Sequence, residues 1–387
     1  MVYFNRFRSI AALMVLNAPK CSSFVVANNN PARSSWSSSS TTTRRGVGFF
    51  STSDTTTSSY WNDAAIATNQ VEQFYDSLSK DTKVPTIWKS REEASAFLTD
   101  HIDTVLFDCD GVLYRTQEAC PGAKEALLSL EAMGKKVLFV TNNAGVNRQG
   151  LRTKLSKVLD IPSLTEDQMV SSSYSSARYL QEQLKPKSRI FVIGSPQLRA
   201  EVESAGFIIT NLPDSSSSSA SMDREELEAY EFNEGPIDAI VVGHDTEFTF
   251  RKLCVANNLL LQNQDALLVA TNHDSFDIVG SDNRHIPGNG CVVKALEYCS
   301  GRQSINVGKP SKMLSDLIAK DHDLDPTRCL FVGDRLDTDI RFGNENGMAS
   351  LLVMSGVTTA EKLRQLGEGT TEEPLPHYVL PHVGMLF

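Results

Sequence analysis

Thr104-Val105-Leu106-Phe107-Asp108-Cys109-Asp110-Gly111-Val112 is the stretch on which the reading of this 387-residue chain turns. Four apolar, strand-forming residues run directly into two acids separated by a single residue, and a glycine follows. A short, uninterrupted apolar run is what a strand buried on both faces of a parallel sheet requires. In open parallel sheets ligands bind just beyond the carboxyl ends of the strands, so Asp108 and Asp110 stand where chemistry is expected. From about residue 85 onward, similar runs recur at 137–140, 190–193, 239–242, 267–270, 305–307, 329–332 and 350–353. Amphipathic helical patterns at 122–133, 171–184, 249–262, 289–299 and 312–320 separate most of them. This alternation predicts an α/β fold with a Rossmann-like parallel-sheet core. Eight strands exceed the needs of one small sheet, which points to a second α/β unit inserted in the first.

Three further strand ends carry polar signals. Val140 is followed by Thr141-Asn142-Asn143, and Val307 by Gly308-Lys309-Pro310. Val332 is followed by Gly333-Asp334-Arg335-Leu336-Asp337-Thr338-Asp339. Brought together, Asp108, Asp110, Asp334 and Asp339 form a hard, oxygen-rich site that suits Mg²⁺, an ion that takes one or two carboxylates and a phosphate oxygen. An ionised Asp beside such a cation can attack phosphorus. Asp110, crowded by neighbouring carboxylates, can carry a proton for a departing alkoxide. Thr141 and the amides around Asn142 and Asn143 can donate to phosphoryl oxygens, and Lys309 can balance the negative charge. Any one of these signals is commonly a turn or a helix lead-in; all four, in order and at strand ends, indicate a phosphoryl-transfer site.

The four signals resemble the four motifs of the haloacid dehalogenase-like phosphatases: Asp108-x-Asp110, Thr141, Lys309, and Gly333-Asp334 with Asp339. The forms Asp-Cys-Asp-Gly-Val, Thr-Asn-Asn, Gly-Lys-Pro-Ser and Gly-Asp-Arg-Leu-x-Thr-Asp-Ile are similar to the branch containing phosphoglycolate phosphatase, 4-nitrophenylphosphatases and pyridoxal phosphatase. The resemblance covers roughly residues 85–387. It implies a haloacid dehalogenase-like core with an α/β cap inserted between the second and third motifs, and 167 residues separate Asn142 from Lys309. The expected division is 85–174 for the first part of the core, 175–287 for the cap and 288–387 for the rest of the core. By resemblance Asp108 is the nucleophile and Asp110 the acid/base. Asp334 is a metal ligand together with Asp108 and the Asp110 carbonyl, and Asp339 supports the metal.

The same resemblance implies Mg²⁺ as cofactor and a small phosphorylated metabolite as substrate, 2-phosphoglycolate first, then pyridoxal 5′-phosphate or 4-nitrophenyl phosphate. It also implies a homodimer. In the cap this chain departs from the branch: Glu247 stands where a loop often carries His, and His273 where another carries Arg. Both are expected to face the substrate. Other functions of related chemistry fit less well. A receiver-like phosphate-binding module lacks an acid/base two residues after the nucleophile, and a dehalogenase has no use for the Asp334/Asp339 pair.

Composition supplies exclusions. Residues 1–53 hold six basic side chains and no acid, so the remainder carries −16 against −10 for the whole chain. Such an acidic body argues against nucleic acid or an anionic membrane as partner. The acid-free start, followed by 17 Ser or Thr among the 26 residues from Ser34 to Ser59, matches the composition of an organellar transit peptide. Residues 1–60 are therefore expected to be a cleavable targeting segment for a plastid or mitochondrion. The seven cysteines contain no Cys-x-x-Cys pair and build neither a disulfide framework nor a zinc knuckle. Cys109 is expected to pack, and Cys254, Cys291, Cys299 and Cys329, on apolar helix or strand faces, are expected in cores.

Overall fold

A computed structural model describes residues 91–210, 224–229, 235–279 and 284–387. The expected targeting segment 1–60 and the serine run 215–219 lie outside the described residues. In chain order the strands are β1 (Thr104–Phe107), β2 (Tyr114–Arg115), β3 (Glu118–Ala119), β4 (Lys136–Thr141), β5 (Met169–Ser171), β6 (Arg189–Ile193), β7 (Ile208–Ile209) and β8 (Ala239–Val242). There follow β9 (Leu267–Ala270), β10 (Phe276–Val279), β11 (Arg284–Pro287), β12 (Ile305–Asn306), β13 (Cys329–Gly333), β14 (Ala349–Val353) and β15 (Tyr378–Leu380).

They assemble into a parallel core sheet of order β15-β14-β13-β1-β4-β5 and a second sheet of order β12-β9-β8-β6-β7. The core sheet owes its apolar strands to burial on both faces. Val105, Phe107, Val137, Phe139, Leu330 and Val332 point into one hydrophobic cluster, whereas Leu106, Leu138, Val140 and Phe331 point into another. Alternate residues of a strand face opposite ways, so a strand with helices on both sides must be apolar throughout. The second sheet repeats the arrangement, with Ile240 and Val242 on one face and Ala239 and Val241 on the other.

β1 lies between β13 and β4, in register Phe107↔Val332 and Phe107↔Phe139. The chain segments that leave these three strands therefore emerge side by side. This adjacency, between residues more than 200 positions apart in sequence, builds the site.

All eight strand-like runs are strands of the structure. Met169–Ser171 and Tyr378–Leu380 extend the core sheet at its edges, being too short to stand out as apolar runs. The boundary expected after residue 287 differs from the sheet membership observed. β12 pairs in parallel with β9, Ile305↔Val269, and the helix Asn289–Ser300 buries Val293 and Leu296 against the second sheet. The second sheet thus extends to Asn306. The helix also corrects the cysteine expectation: its buried stripe is Val293, Leu296 and Glu297, so Cys291 and Cys299 fall outside it and are exposed. Cys329 and Cys109 are buried, and Cys254 is partly so.

Candidate active site

The segment after β1 is held against its neighbours by backbone contacts. The Asp108 amide donates to Val332 O at 2.8 Å, continuing the β1–β13 ladder into the loop, and Gly111 N donates to Tyr114 O at 2.8 Å. Asp108 is buried, whereas Asp110 keeps 52% of its side chain open to a cavity of about 500 Å³. Asp108, Asp110, Thr141, Asn142, Asn143, Lys309, Asp334 and Asp339 all line that cavity. Eight of the ten residues expected from sequence are therefore brought together.

Lys309 stands at the centre of the charge balance. Its side chain is 2% exposed, donates to Asp108 Oδ1 and to Val140 O at 3.0 Å, and lies 2.8 Å from Asp339 Oδ1. Burial opposes its charge, but Asp108 and Asp339 outweigh that and raise its pKa, so it remains an ammonium ion. Asp339 is 1% exposed. Its Oδ2 accepts from the amides of Asp334 and Arg335, both at 3.1 Å, because the π-type turn Leu336–Ile340 folds the chain back onto the end of β13. Burial pushes Asp108 up to about 7, with Lys309 opposing and Asp339 adding to the rise. Burial, Asp339 and Asp108 drive Asp334 well above the usual carboxylate range. Loss of hydration inside the cavity raises Asp110 as well, against the pull of Lys154 and Tyr114.

One ammonium ion cannot neutralise this many clustered acids. Ligand atoms of Asp108, Asp334 and Asp339 lie within 4.8 Å of one another, and an all-oxygen donor set in that space fits a small hard cation. Such an ion would supply Lewis-acid polarisation of a phosphoryl oxygen.

Two glycines make room for the cluster. A Cβ on Gly111, whose φ is +81°, would lie 2.5 Å from Asp334 Oδ2, and a Cβ on Gly356 would lie 1.8 Å from the same atom. Gly356→Ala must therefore displace the Asp334 carboxylate, which also accepts from the Val357 amide at 2.6 Å. We expect the wild-type protein to be stabilised by Mg²⁺, by about 2.7 kcal/mol at 100 times its Kd. Gly356→Ala should weaken Mg²⁺ binding at least about tenfold, as loss of a ligand's support does. Thermal unfolding titrated with Mg²⁺ reads both; equal midpoints for the two proteins at every Mg²⁺ concentration would refute the claim.

Asn142 ties the core to the cap. Its Oδ1 accepts from the Lys309 amide at 2.8 Å, and its Nδ2 donates to Asp274 Oδ1 at 3.0 Å. Its carbonyl accepts from Asn272 Nδ2 at 2.6 Å and Ser172 Oγ at 2.7 Å. Thr141 Oγ1 accepts from the Asn143 amide at 3.1 Å, which closes the turn after β4.

The two cap residues expected at the substrate are not there. His273 turns away, its Nε2 lying 2.8 Å from Ser304 Oγ, and its neighbours Asn272 and Asp274 line the cavity instead. Asn272 and Asp274 flank His273 and lie on the opposite side of the chain from it, so reading one position off selected the wrong side. Glu247 is exposed and does not line the cavity. Its amide is used by Asp245 Oδ1 at 2.9 Å, and the loop presents His244 to the cavity. Burial raises Asp274 to about 6, against Arg335 and Asn142.

Sequence reading passed over Arg335, Asp274, Asp277, Lys154 and Tyr114. Arg335 forks onto Asp337, with Nε and Nη2 at 3.2 and 3.1 Å, and its Nη1 donates to Phe276 O at 3.1 Å, joining the loop after β13 to the strand pair β10–β11. Asp274 was discoverable by the same strand-end rule applied to β9.

Known proteins resemble this chain in sequence and fold. Residues 105–208 match a model described as haloacid dehalogenase-like hydrolase, and residues 306–386 match a second, HAD-hydrolase-like model. A glycerol-3-phosphate phosphatase of Gallus gallus is 41% identical over 277 residues, covering 70% of this chain and 86% of that protein. A p-nitrophenyl phosphatase from Archaeoglobus fulgidus superposes with a TM-score of 0.61 at 26% identity, over 74% of this chain and 98% of that one. A glycerol phosphate phosphatase from Mycobacterium tuberculosis, solved in complex with magnesium, superposes with a TM-score of 0.58 at 27% identity, over 75% and 77% of the respective chains. With the carboxylate cluster, the buried lysine and the inserted α/β cap all in place, the chain belongs to the haloacid dehalogenase-like hydrolases, as a phosphoric monoester hydrolase of small phosphorylated metabolites.

Proposed function

We propose that the protein is a Mg²⁺-dependent phosphomonoesterase working through an aspartyl-phosphate, with glycerol 3-phosphate as its preferred substrate. Asp108 attacks phosphorus while Asp110 passes its proton to the departing alkoxide. Asp110 then takes a proton from the water that hydrolyses the acyl-phosphate. Lys309 holds the Asp108 carboxylate and offsets the incoming phosphoryl charge; Thr141 and the amides near Asn142 and Asn143 bind phosphoryl oxygens. Asp108, Asp334 and the Asp110 carbonyl would hold Mg²⁺, with Asp339 in support, as the carboxylate cluster and the magnesium-bound relative suggest.

The observation that carries the substrate choice is the cap-side wall. It presents His244, Asn272, Asp274, Asp277 and Asn289, and its nearby cation, Arg335, is already engaged by Asp337. Hydroxyl groups can donate to such a wall, whereas a substrate carboxylate would be repelled. A 41% identical relative is named for glycerol 3-phosphate. A second reading, 2-phosphoglycolate, draws support from Arg115 and Lys154 on the core side of the cavity. Initial rates with Mg²⁺ on glycerol 3-phosphate, 2-phosphoglycolate, pyridoxal 5′-phosphate and 4-nitrophenyl phosphate decide between them. We expect kcat/KM for glycerol 3-phosphate to exceed that for 2-phosphoglycolate by at least about tenfold, roughly 1.4 kcal/mol. The reverse order would establish the second reading.

We further propose that residues 1–60 direct the protein to a plastid or mitochondrion, on the strength of their acid-free, Ser/Thr-rich composition. A fluorescent reporter carrying residues 1–60 should enter one of these organelles, and a diffuse cytosolic signal would reject the assignment.

A further inference from the structure

Asp110 does not stand alone in the cavity. The turn that carries it folds back so that Tyr114, four residues on, pairs with it across a backbone bridge. Tyr114 is 1% exposed, and its hydroxyl donates to Asp110 Oδ2 at 2.9 Å. Burial and the nearby acids raise the Tyr114 pKa, so the phenol keeps its proton and stays a donor. From the helix Arg148–Leu159, Lys154 reaches across the cavity wall. Its Nζ sits 3.8 Å from the centre of the Tyr114 ring and 3.9 Å from Asp110 Oδ1. A phenol, an ammonium ion and the open carboxyl of Asp110 thus form a closed cluster beside the metal loop. Lys154 leaves 26% of its side chain exposed, so it is held over the ring without being sealed in.

We propose that Tyr114 and Lys154 are positioning residues for the proton transfer made by Asp110. The Tyr114 hydroxyl donates to Oδ2, which leaves Oδ1 as the oxygen that carries the transferable proton. As the Asp108–phosphorus bond forms and the bond from phosphorus to the leaving oxygen breaks, the proton on Oδ1 moves to that oxygen. The Asp110 carboxylate left behind keeps the Tyr114 hydrogen bond and gains the attraction of Lys154. Hydrogen bonds to charged groups are among the stronger ones, so both contacts are worth more after the proton has left than before. An interaction that strengthens along the reaction accelerates it. The inference rests on the assignment of Asp110 as acid/base made above.

The discriminating property is the leaving group. An alkoxide such as that of glycerol 3-phosphate needs the proton; 4-nitrophenolate leaves readily without it. Because kcat/KM covers only steps up to loss of the leaving group, it isolates this transfer from the later hydrolysis of the acyl-phosphate. The experiment measures kcat/KM for both substrates with Mg²⁺ in wild type, Tyr114→Phe, Lys154→Gln and Asp110→Asn. For Tyr114→Phe we expect the loss on glycerol 3-phosphate to exceed that on 4-nitrophenyl phosphate by about tenfold, and Lys154→Gln should change the ratio in the same direction. Equal losses on the two substrates would make these residues packing or binding groups, and no loss on either would make them bystanders; both results overturn the inference. Asp110→Asn separates the two levels. If it shows the leaving-group selectivity and the other variants do not, only the positioning role fails; if it shows none, the acid/base assignment fails with it.

Discussion

Replacing Asp108 with Asn is expected to abolish Mg²⁺-dependent phosphate release, lowering kcat by about 10⁴ or more. The side chain keeps its shape, so the β1–β13 ladder and the cavity walls persist. What disappears is the anionic oxygen that Lys309 holds and aims. The amide is a poor nucleophile toward phosphorus and a weak partner for a hard cation. The same substitution removes one of three crowded carboxyl groups whose ligand atoms lie within 4.8 Å. The metal-free variant should therefore unfold at the same temperature as wild type or higher, while losing most of its stabilisation by Mg²⁺. Activity within tenfold of wild type would exclude Asp108 as the nucleophile. A large fall in the unfolding temperature of the metal-free variant would show that the carboxylate is structural.

Lys309→Met has the next largest expected effect, and it acts on stability as well as rate. Lys309 is buried with Asp108 and Asp339 on either side. Removing one partner from a buried ion cluster leaves uncompensated charge, at a cost of about 3–5 kcal/mol. Loss of a preorganised cation facing a transferred phosphoryl group typically lowers kcat by about 10²–10³. Both losses should appear together, in thermal unfolding and in steady-state rates. Saturating Mg²⁺ should restore part of the stability, because it supplies positive charge to the same acids, and little of the rate, because the Asp108 oxygen is no longer held. A variant with wild-type rates and an unchanged melting temperature would contradict the charge balance described here.

Much of the core was legible because its physics is local. A buried parallel strand must be apolar on both faces, so Val105, Leu106 and Phe107 announce β1 even though they point into different clusters. The strand-end rule then located Asp108, Thr141 and Asp334, whose proximity follows from the order β13-β1-β4, and Lys309, which arrives from the end of β12 in the second sheet. The cap was less legible for a geometric reason. In the loop after β9 a shift of one residue exchanges cavity for exterior, and the loop after β8 bends in a turn closed by the Phe248 amide on Asp245 O. Asn272 and Asp274 face the site while His273 binds Ser304, and His244 faces it while Glu247 lies exposed. Nothing in a single sequence states that phase. Tyr114 and Arg335 were hidden differently. Arg335 sits inside a motif already assigned a function and Tyr114 two residues past one, and the partner comes from a distant segment, Phe276 for the first and Lys154 for the second.

The substrate wall follows from the same corrections. With His273 and Glu247 away from the cavity, the proposed substrate choice rests on Asp274, Asp277 and the neighbouring side-chain amides on the cap side, and on Arg115 and Lys154 on the core side, all of which line it. The catalytic half can be described without knowing the substrate; the specificity half depends on which of these two walls the leaving group meets.

The central claim is that phosphate leaves in two displacements, through Asp108, and not by direct attack of water. Stereochemistry at phosphorus tests it most directly. A phosphate monoester made chiral with oxygen isotopes and sulfur, hydrolysed by the full-length protein with Mg²⁺ in isotopically labelled water, should yield product with overall retention, because two in-line inversions cancel. Overall inversion would mean a single displacement by water and would remove Asp108 from the role of nucleophile.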